Sequence, residues 1–178
     1  MRSAVTLIAI AGLSSFSWGS QLPVKIYTTA DGLPSNRINK IVRDSRGYLW
    51  FCTQEGLSRF DGYGFRNYGP LQGLPPRSVN DLLETRAGEY WLATNGGLVR
   101  FDPDSADHKF TVFLPDDGEE SQRITTVIEN RAGGLWVGTY RGLYRFETSA
   151  DRNAQAPAGG RFRRVDIRIP EGDTTQRL

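Results

Sequence analysis

The chain has 178 residues, of which 38% are hydrophobic and 24% charged, so its composition is that of a folded domain and excludes wholesale disorder. Its formal net charge is only +2, and its basic residues are interspersed with acidic ones, which excludes the concentrated basic patch of a nucleic-acid-binding protein. A single cysteine and a single histidine exclude an intrachain disulfide, a cysteine-based metal cluster and a histidine-rich metal site.

Residues 1–19 have the pattern of a secretory signal peptide. An arginine supplies positive charge near the amino terminus, and Ala4–Leu13 is an apolar run too short to span a bilayer. Ser17 and Gly19 then place small side chains before the expected cleavage site. We therefore expect export to the periplasm and a mature chain that begins near Ser20. The alternative is that the apolar run forms a buried first strand or helix.

One seven-residue pattern occurs three times in the rest of the chain. Each copy begins with glycine, has tryptophan at its fourth position and ends in threonine; the copies are Gly47–Thr53, Gly88–Thr94 and Gly133–Thr139. A Gly-Leu pair and then an Arg-Phe pair follow each copy. The tryptophans are 41 and then 45 residues apart, and a period of this size is typical of four-stranded propeller blades.

Residues 24–28 are predicted to form an outer strand that precedes the first complete blade. Tyr27 comes 41 residues before Tyr68, and Gly32-Leu33-Pro34 comes 41 residues before Gly73-Leu74-Pro75. The segment therefore matches the fourth strand of a blade. In a closed propeller such a strand completes the last blade and removes an exposed sheet edge.

Apolar runs and turn signals divide the first blade, residues 37–68, into four strands. These are Ile38–Arg43, Tyr48–Thr53, Gly56–Phe60 and Phe65–Tyr68, with turns at Asp44–Gly47 and at Asp61-Gly62. The same pattern predicts blades over residues 78–113 and 123–169. Because no segment has a sustained helical period, we expect essentially no helix beyond the signal peptide. The predicted fold of residues 20–178 is thus all-β, with three four-stranded antiparallel blades of a β-propeller.

Three blades do not close a ring, because propellers use about four to eight. At the end of the sequence, Gly172–Leu178 matches Gly118–Ile124, so the last residue stands where a fourth repeat would begin. We therefore expect an amino-terminal piece of a longer propeller, with an incomplete ring. The alternative is a small protein whose repeats assemble between chains.

The three copies share a longer pattern, an apolar strand followed by Asp-x-x-Gly-x-Leu-Trp-x-Gly-Thr, Gly-Leu, and an aromatic residue with Asp. The first copy matches it at Asp44, Gly47, Leu49, Trp50, Thr53, Gly56, Leu57, Phe60 and Asp61, with Cys52 in place of the second glycine. The third copy has Asn130 for the first aspartate, and the second departs most, with Thr85 and Ala93. This pattern resembles the two-component regulator propeller repeat of periplasmic sensor regions.

The resemblance implies a sensor of a two-component signal-transduction protein that binds a carbohydrate-like ligand in the periplasm. The implied partners are an oligosaccharide and the remaining blades of the full-length protein, with no nucleic acid and no cofactor. Membrane contact and any histidine kinase module would belong to regions outside this sequence. The alternatives are a propeller enzyme of the lyase or glycosidase type and a structural interaction scaffold.

Residues that recur in every blade are expected to serve the architecture. Trp50, Trp91 and Trp136 are predicted to fill the wedge between blades, although exposed indoles could instead stack on sugars. The hydroxyl groups of Thr53, Thr94 and Thr139 are predicted to cap the Gly-Leu turns. The arginines Arg59, Arg100 and Arg145 are predicted to be solvated or ion-paired between blades.

We assign no catalytic, metal-binding or cofactor-binding residue, and expect the sensor part to be non-catalytic. The acidic stretch Asp102–His108 has oxygen ligands of the kind that calcium prefers, but it lacks the glycine and the distal glutamate of a calcium loop. We expect a polar hairpin there. Cys52 lies in a predicted strand and is expected to be a small buried thiol.

Polar residues at the connections into the first strands form the candidate ligand site. First strands line the central channel of a propeller, and the connections into them lie on one face. The candidate residues are Asn36, Arg37, Arg77, Ser78, Gln122 and Arg123. Their planar donors suit a ligand rich in hydroxyl groups, and the alternative is that each only solvates its loop.

Overall fold

The computed structural model describes residues 24–75, 78–105, 109–148 and 160–166. These residues form three four-stranded antiparallel sheets. The first sheet contains β1 (Ile38–Arg43), β2 (Leu49–Thr53), β3 (Gly56–Phe60) and β4 (Phe65–Tyr68). The second contains β5 (Val79–Glu84), β6 (Tyr90–Thr94), β7 (Gly97–Phe101) and β8 (Phe110–Phe113). The third contains β9 (Ile124–Glu129), β10 (Leu135–Thr139), β11 (Gly142–Glu147) and β12 (Arg161–Arg164).

In each sheet the strands pair in chain order, so each sheet is a meander of the kind that makes a propeller blade. The all-β prediction is confirmed, and the predicted strands of the first blade agree with the observed ones to within one residue. The predicted signal peptide, residues 1–19, and Gly172–Leu178 lie outside the described residues.

The expectation of essentially no helix holds for the blades, and the described residues add three short helical turns in the connections. Glu119–Gln122 form a single helical turn, α1, in the connection into the third blade, and Thr29–Asp31 and Pro70–Gln72 form short 3-10 turns. A single turn is too short to show a period in the sequence, because a helical period needs a window of about 11–18 residues.

The turns between second and third strands have the predicted threonine caps. The Thr53 hydroxyl donates to the carbonyl of Gly56 at 2.9 Å and accepts from the N–H of Glu55 at 3.1 Å. Thr94 and Thr139 make the equivalent pairs of bonds in the other two blades. Each hydroxyl therefore bonds to two backbone groups of its two-residue turn.

The hydrophobic core lies between neighbouring blades. Trp50 is fully buried against Tyr90 and Phe101 of the second blade, and Trp91 is 1% exposed and packs on Phe146 of the third. Trp136 is only half-buried, in the last blade that the structure describes. The packing interpretation of the tryptophans is therefore confirmed at both blade junctions that the structure describes.

The segment 24–28 makes no strand ladder among the described residues. A strand needs a partner, and the predicted partner is a blade that the described residues do not include. The outer strand therefore stays a prediction. The side chain of Tyr27 nonetheless packs on Phe60 and Phe65, with ring centroids 5.2 and 5.5 Å apart.

Candidate ligand-binding site

Each first strand carries a β-bulge near its start, and in β1 and β5 the bulged residue bonds to the next blade. In β1 the pairing register shifts between Ile38 and Lys40, which leaves Asn39 as the extra residue. The Asn39 amide donates to the carbonyl of Val79 at 2.7 Å and to the Ser78 hydroxyl at 2.9 Å. In β5 the bulged residue Asn80 similarly donates to the carbonyl of Ile124 at 2.6 Å. These bonds set the spacing between successive first strands.

A row of three polar side chains crosses all three first strands. Lys40, Asp81 and Thr126 occupy equivalent positions in β1, β5 and β9. The Asp81 carboxylate is 1% exposed, lies 2.6 Å from the Lys40 ammonium and accepts from the Thr126 hydroxyl at 2.6 Å. It also accepts from the backbone N–H of Val127 at 3.3 Å. A buried carboxylate with partners in both neighbouring strands aligns the three blades.

The connections into the first strands and the turns between second and third strands lie at the same ends of the blades, and we call this surface the connection face. Of the candidate ligand residues, Asn36 and Ser78 are already engaged within the fold. The Asn36 carboxamide oxygen accepts from the backbone N–H of Thr29 at 2.8 Å. The Ser78 hydroxyl accepts from Asn39 and donates to Asn80 at 3.2 Å. These two residues position the connections.

The other candidate residues differ in what they offer to a ligand. Arg37 and Arg123 are exposed, and Gln122 is half-buried at the end of α1. Arg77 lies outside the described residues. The structure therefore leaves Arg37, Gln122 and Arg123 with side chains open to solvent on the connection face.

Sequence reasoning missed Tyr140, which lies beside Arg123. The Arg123 guanidinium stands 4.4 Å from the centroid of the Tyr140 ring, and the N–H of Tyr140 donates to the Arg123 carbonyl at 3.2 Å. Tyr140 is 62% exposed. The other blades have Gln54 and Asn95 at this turn position, so its departure from the repeat was the available signal.

Asp117 organises the neighbouring part of the connection face. Its carboxylate accepts from the Tyr144 hydroxyl at 2.8 Å and lies 3.4 Å from Arg164 and 3.8 Å from Arg141. The hydrogen bond from Tyr144, and then the two arginines, hold the pKa of Asp117 below its usual value even though desolvation raises it. The carboxylate is therefore ionised at neutral pH and pairs with the guanidinium groups of Arg141 and Arg164.

The remaining residues that sequence analysis singled out are structural. Cys52 is fully buried, and burial, reinforced by the charge of Asp81, raises the pKa of its thiol to about 12. Arg59 differs from the expectation of a solvated or ion-paired side chain, because its guanidinium lies 4.2 Å from the centroid of the Tyr48 ring. Asp102 accepts from the N–H groups of Asp104 and Ser105, which makes the polar turn that we predicted.

Within the described ranges, no group of three His, Cys, Asp or Glu side chains is placed to hold a metal ion. The last two residues of the acidic stretch, Asp107 and His108, lie outside those ranges. No helix among the described residues is long and apolar enough to cross a membrane.

Three segments, residues 32–55, 73–96 and 118–141, match the family model of the two-component regulator propeller. Each segment runs from a connection through the first and second strands to the threonine-capped turn. The chain contains three two-component regulator propeller repeats. These repeats are the units that carry both the bulged first strands and the connection face.

Solved structures with the same fold include extracellular domains of two-component systems from B. thetaiotaomicron. The extracellular domain of the hybrid system BT4673 is 26% identical, with a TM-score of 0.59 over 81% of this chain and 19% of that chain. The equivalent domain of BT3049 is 22% identical, with a TM-score of 0.57 over 67% of this chain and 17% of that chain.

A curated relative, histidine kinase P4 of Formosa agariphila, is 34% identical over 65 residues, which are 36% of this chain and 5% of that protein. The chain thus spans a small part of the proteins that it matches. Virginiamycin B lyase from Staphylococcus aureus is 15% identical with a TM-score of 0.51, a likeness of fold alone.

Proposed function

We propose that these blades are part of the periplasmic ligand-recognition region of a two-component sensor, and that the connection face binds a carbohydrate-like ligand. The repeats and the likeness to extracellular domains of two-component systems support the sensor role. The exposed Arg123–Tyr140 pair is the observation that supports a carbohydrate-like ligand.

An aromatic ring beside a guanidinium offers two complementary contacts to a sugar. The ring face packs on the C–H groups of a pyranose, and the guanidinium donates hydrogen bonds to its hydroxyl groups. The bond from the Tyr140 N–H to the Arg123 carbonyl, at 3.2 Å, orders the backbone of the pair before a ligand binds. Gln122, which precedes Arg123, adds an amide that both donates and accepts.

Export is the second element of the proposal. The signal-peptide pattern of residues 1–19 supports a periplasmic location, and solved structures with a similar fold include extracellular domains. A ligand outside the cytoplasm would then be bound by the propeller, while the output chemistry belongs to other parts of the full-length protein.

The ligand proposal is tested by binding of neutral oligosaccharides to the full-length protein and to two variants. We expect Tyr140→Ala to weaken binding at least about fivefold, since stacking of a flat ligand face on an aromatic ring contributes about 1 kcal/mol or more. Gln54→Ala is the matched control, since Gln54 is exposed at the same turn of the first blade. Equal affinities of the two variants would overturn the connection face as the binding site.

A further inference from the structure

A cavity of about 630 Å³ lies between the first and second blades on the surface opposite the connection face. We call this surface the turn face, because it carries the hairpins that join first to second and third to fourth strands. The cavity is lined by the β1–β2 turn of one blade and by the β5–β6 turn and the β7–β8 hairpin of the next. Its volume is within the range of small-molecule sites.

Residues that break the repeat gather at this cavity. Arg46 stands where the other blades have Ala87 and Ala132, and Tyr90 stands where they have Leu49 and Leu135. The two meet across the junction, where Arg46 donates to the Tyr90 hydroxyl at 3.2 Å and also lies 3.3 Å from Asp104. Residues that recur in every blade serve the architecture. Residues that differ from the repeat and cluster at one blade junction therefore indicate a role other than architecture.

Hydrogen bonds to buried and neighbouring groups hold the walls of the cavity in place. The Tyr90 hydroxyl donates to the buried Asp44 carboxylate at 3.0 Å, and Asp44 also accepts from the Trp50 indole N–H at 2.8 Å. Glu84 accepts from the backbone N–H of Ser45 at 2.6 Å, which ties the β1–β2 turn to the second blade. A site held by such supporting bonds needs little reorganisation when it binds.

The cavity contains both hydrogen-bond donors and acceptors that have no partner among the described residues. Arg100 and Thr111 pair across β7 and β8, and their side chains have no hydrogen-bond, ionic or ring partner in the part of the chain that the structure describes. The Glu89 carboxylate is likewise without a partner there. A hydroxyl group donates and accepts at once, so it can satisfy a neighbouring guanidinium and carboxylate together.

The net charge of the residues that line the cavity disfavours an anionic ligand. Two arginines, Arg46 and Arg100, face four carboxylates, those of Glu84, Glu89, Asp102 and Asp104, which leaves a formal charge of −2. An anion would therefore meet net repulsion, whereas a neutral polyhydroxylated molecule would meet alternating donors and acceptors.

We propose that this cavity is a second binding site, for a neutral saccharide unit, at the junction of the first two blades. The inference rests on the proposed function, that the blades recognise a carbohydrate-like ligand, and adds a site on the opposite face. Arg100 and Thr111 donate to the sugar hydroxyls, Glu89 accepts from them, and the Arg46–Tyr90 bond holds the wall of the cavity in place.

The test is saturation-transfer NMR on the full-length protein with cellobiose, maltose and lactose as neutral probes and glucuronate as an anionic probe. Each cavity variant is also made in the Arg123→Ala, Tyr140→Ala background, where the connection face no longer contributes to binding. In that background we expect Arg100→Ala and Glu89→Gln each to reduce the signal of a neutral probe at least about fivefold, the loss expected for one hydrogen bond to a charged group. Glucuronate should give a weaker signal than the neutral probes. Arg145→Ala is the matched control, because Arg145 has the same strand position in the third blade and does not line the cavity. The melting temperatures of the variants show whether each one is folded.

Two outcomes separate this inference from the proposed function. In the first outcome, the Arg123→Ala, Tyr140→Ala double variant abolishes the signal of a neutral probe and the cavity variants leave it unchanged. This result overturns the cavity as a binding site and supports the connection face. In the second outcome, the cavity variants lose the signal and the double variant keeps it. This result supports the cavity as a saccharide site and overturns the connection face as one. A signal from no neutral probe, or one stronger for glucuronate, overturns the cavity proposal.

Discussion

Tyr27 packs on Phe60 in a T-shaped geometry, with ring centroids 5.2 Å apart and an interplanar angle of 61°. Two further pairs repeat this contact between a fourth strand and the next blade: Tyr68 with Phe101 at 5.1 Å and 71°, and Phe113 with Phe146 at 5.0 Å and 64°. Tyr27 thus occupies the place of a fourth-strand aromatic residue, although no described strand pairs with its backbone.

This contact predicts that Tyr27 contributes to stability through its side chain. Tyr27→Ala should lower the free energy of unfolding by about 1–2 kcal/mol, since the half-buried ring loses its contacts with Phe60 and Phe65. Tyr63→Ala is the control, because Tyr63 is 97% exposed. Urea unfolding that gave equal losses for the two variants would contradict the assignment of Tyr27 to a fourth-strand position.

The three tryptophans should differ in what they contribute. Trp50→Ala and Trp91→Ala each remove a buried ring from a blade junction and should cost about 3–5 kcal/mol. In the isolated chain Trp136→Ala should cost less than half as much, because Trp136 is only half-buried. Equal losses at all three positions, measured by thermal or urea unfolding, would show that something covers Trp136 as well.

Asp44 should make stability depend on pH in the acid range. Burial raises the pKa of its carboxyl, but hydrogen bonds from Trp50, Tyr90 and the Tyr48 N–H outweigh burial and bring the pKa below its usual value of 3.8. Its stabilisation is therefore present above the pKa of the unfolded chain and is lost as the pH falls through the lower folded pKa.

Asp44→Asn tests this dependence. We expect the variant to be less stable than the wild type by about 2 kcal/mol at pH 7, because an amide group replaces one of the two acceptor oxygens. In the place of Oδ2 the amide leaves the Trp50 indole N–H without an acceptor, and in the place of Oδ1 it leaves the Tyr48 N–H without one. The difference should shrink between pH 4 and pH 2, where the carboxyl becomes protonated. Asp116→Asn, at an exposed carboxylate, should show no comparable gap. A gap that stayed constant down to pH 2 would refute the role of the Asp44 charge.

The second blade lacks a carboxylate at the position equivalent to Asp44. Thr85 replaces the aspartate, and the buried indole N–H of Trp91 has no hydrogen-bond partner in the part of the chain that the structure describes. Thr85→Asp should supply the missing acceptor and raise the stability by about 1 kcal/mol at pH 7. Thr85→Val, which supplies no acceptor, should lower it. If calorimetry showed a lower melting temperature for Thr85→Asp, desolvation of the carboxylate would outweigh the new bond.

Cleavage of the signal peptide is a separate expectation. The pattern of residues 1–19 predicts a mature chain that begins near Ser20. Intact-mass analysis of protein recovered from the periplasm should show that residues 1–19 are missing. Blocking the site with a large residue, Gly19→Leu, should leave the segment attached. Periplasmic wild-type protein that retained residues 1–19 would contradict the assignment.

The sequence by itself determined the blades. The glycines at the turns, the threonines before the Gly-Leu pairs and the alternating strands act through neighbours within about ten residues, so the repeat shows them directly. Gly47, for example, has a φ of 89°, a conformation that glycine adopts without strain. The buried positions of Trp50 and Trp91 also followed from their recurrence at the same place in each unit.

Only the tertiary structure decided how the blades meet and which side chains remain open. The bond from Tyr90 to Asp44 joins residues 46 positions apart, and the Lys40–Asp81–Thr126 row joins three blades. Such contacts depend on how the sheets stack, and the repeat alone does not show this. Stacking also engages Ser78 with Asn39 of the first blade, whereas Asn36 is held by a local bond from the Thr29 N–H. Tyr140 is left exposed on the connection face, and it was not among the residues predicted from the sequence.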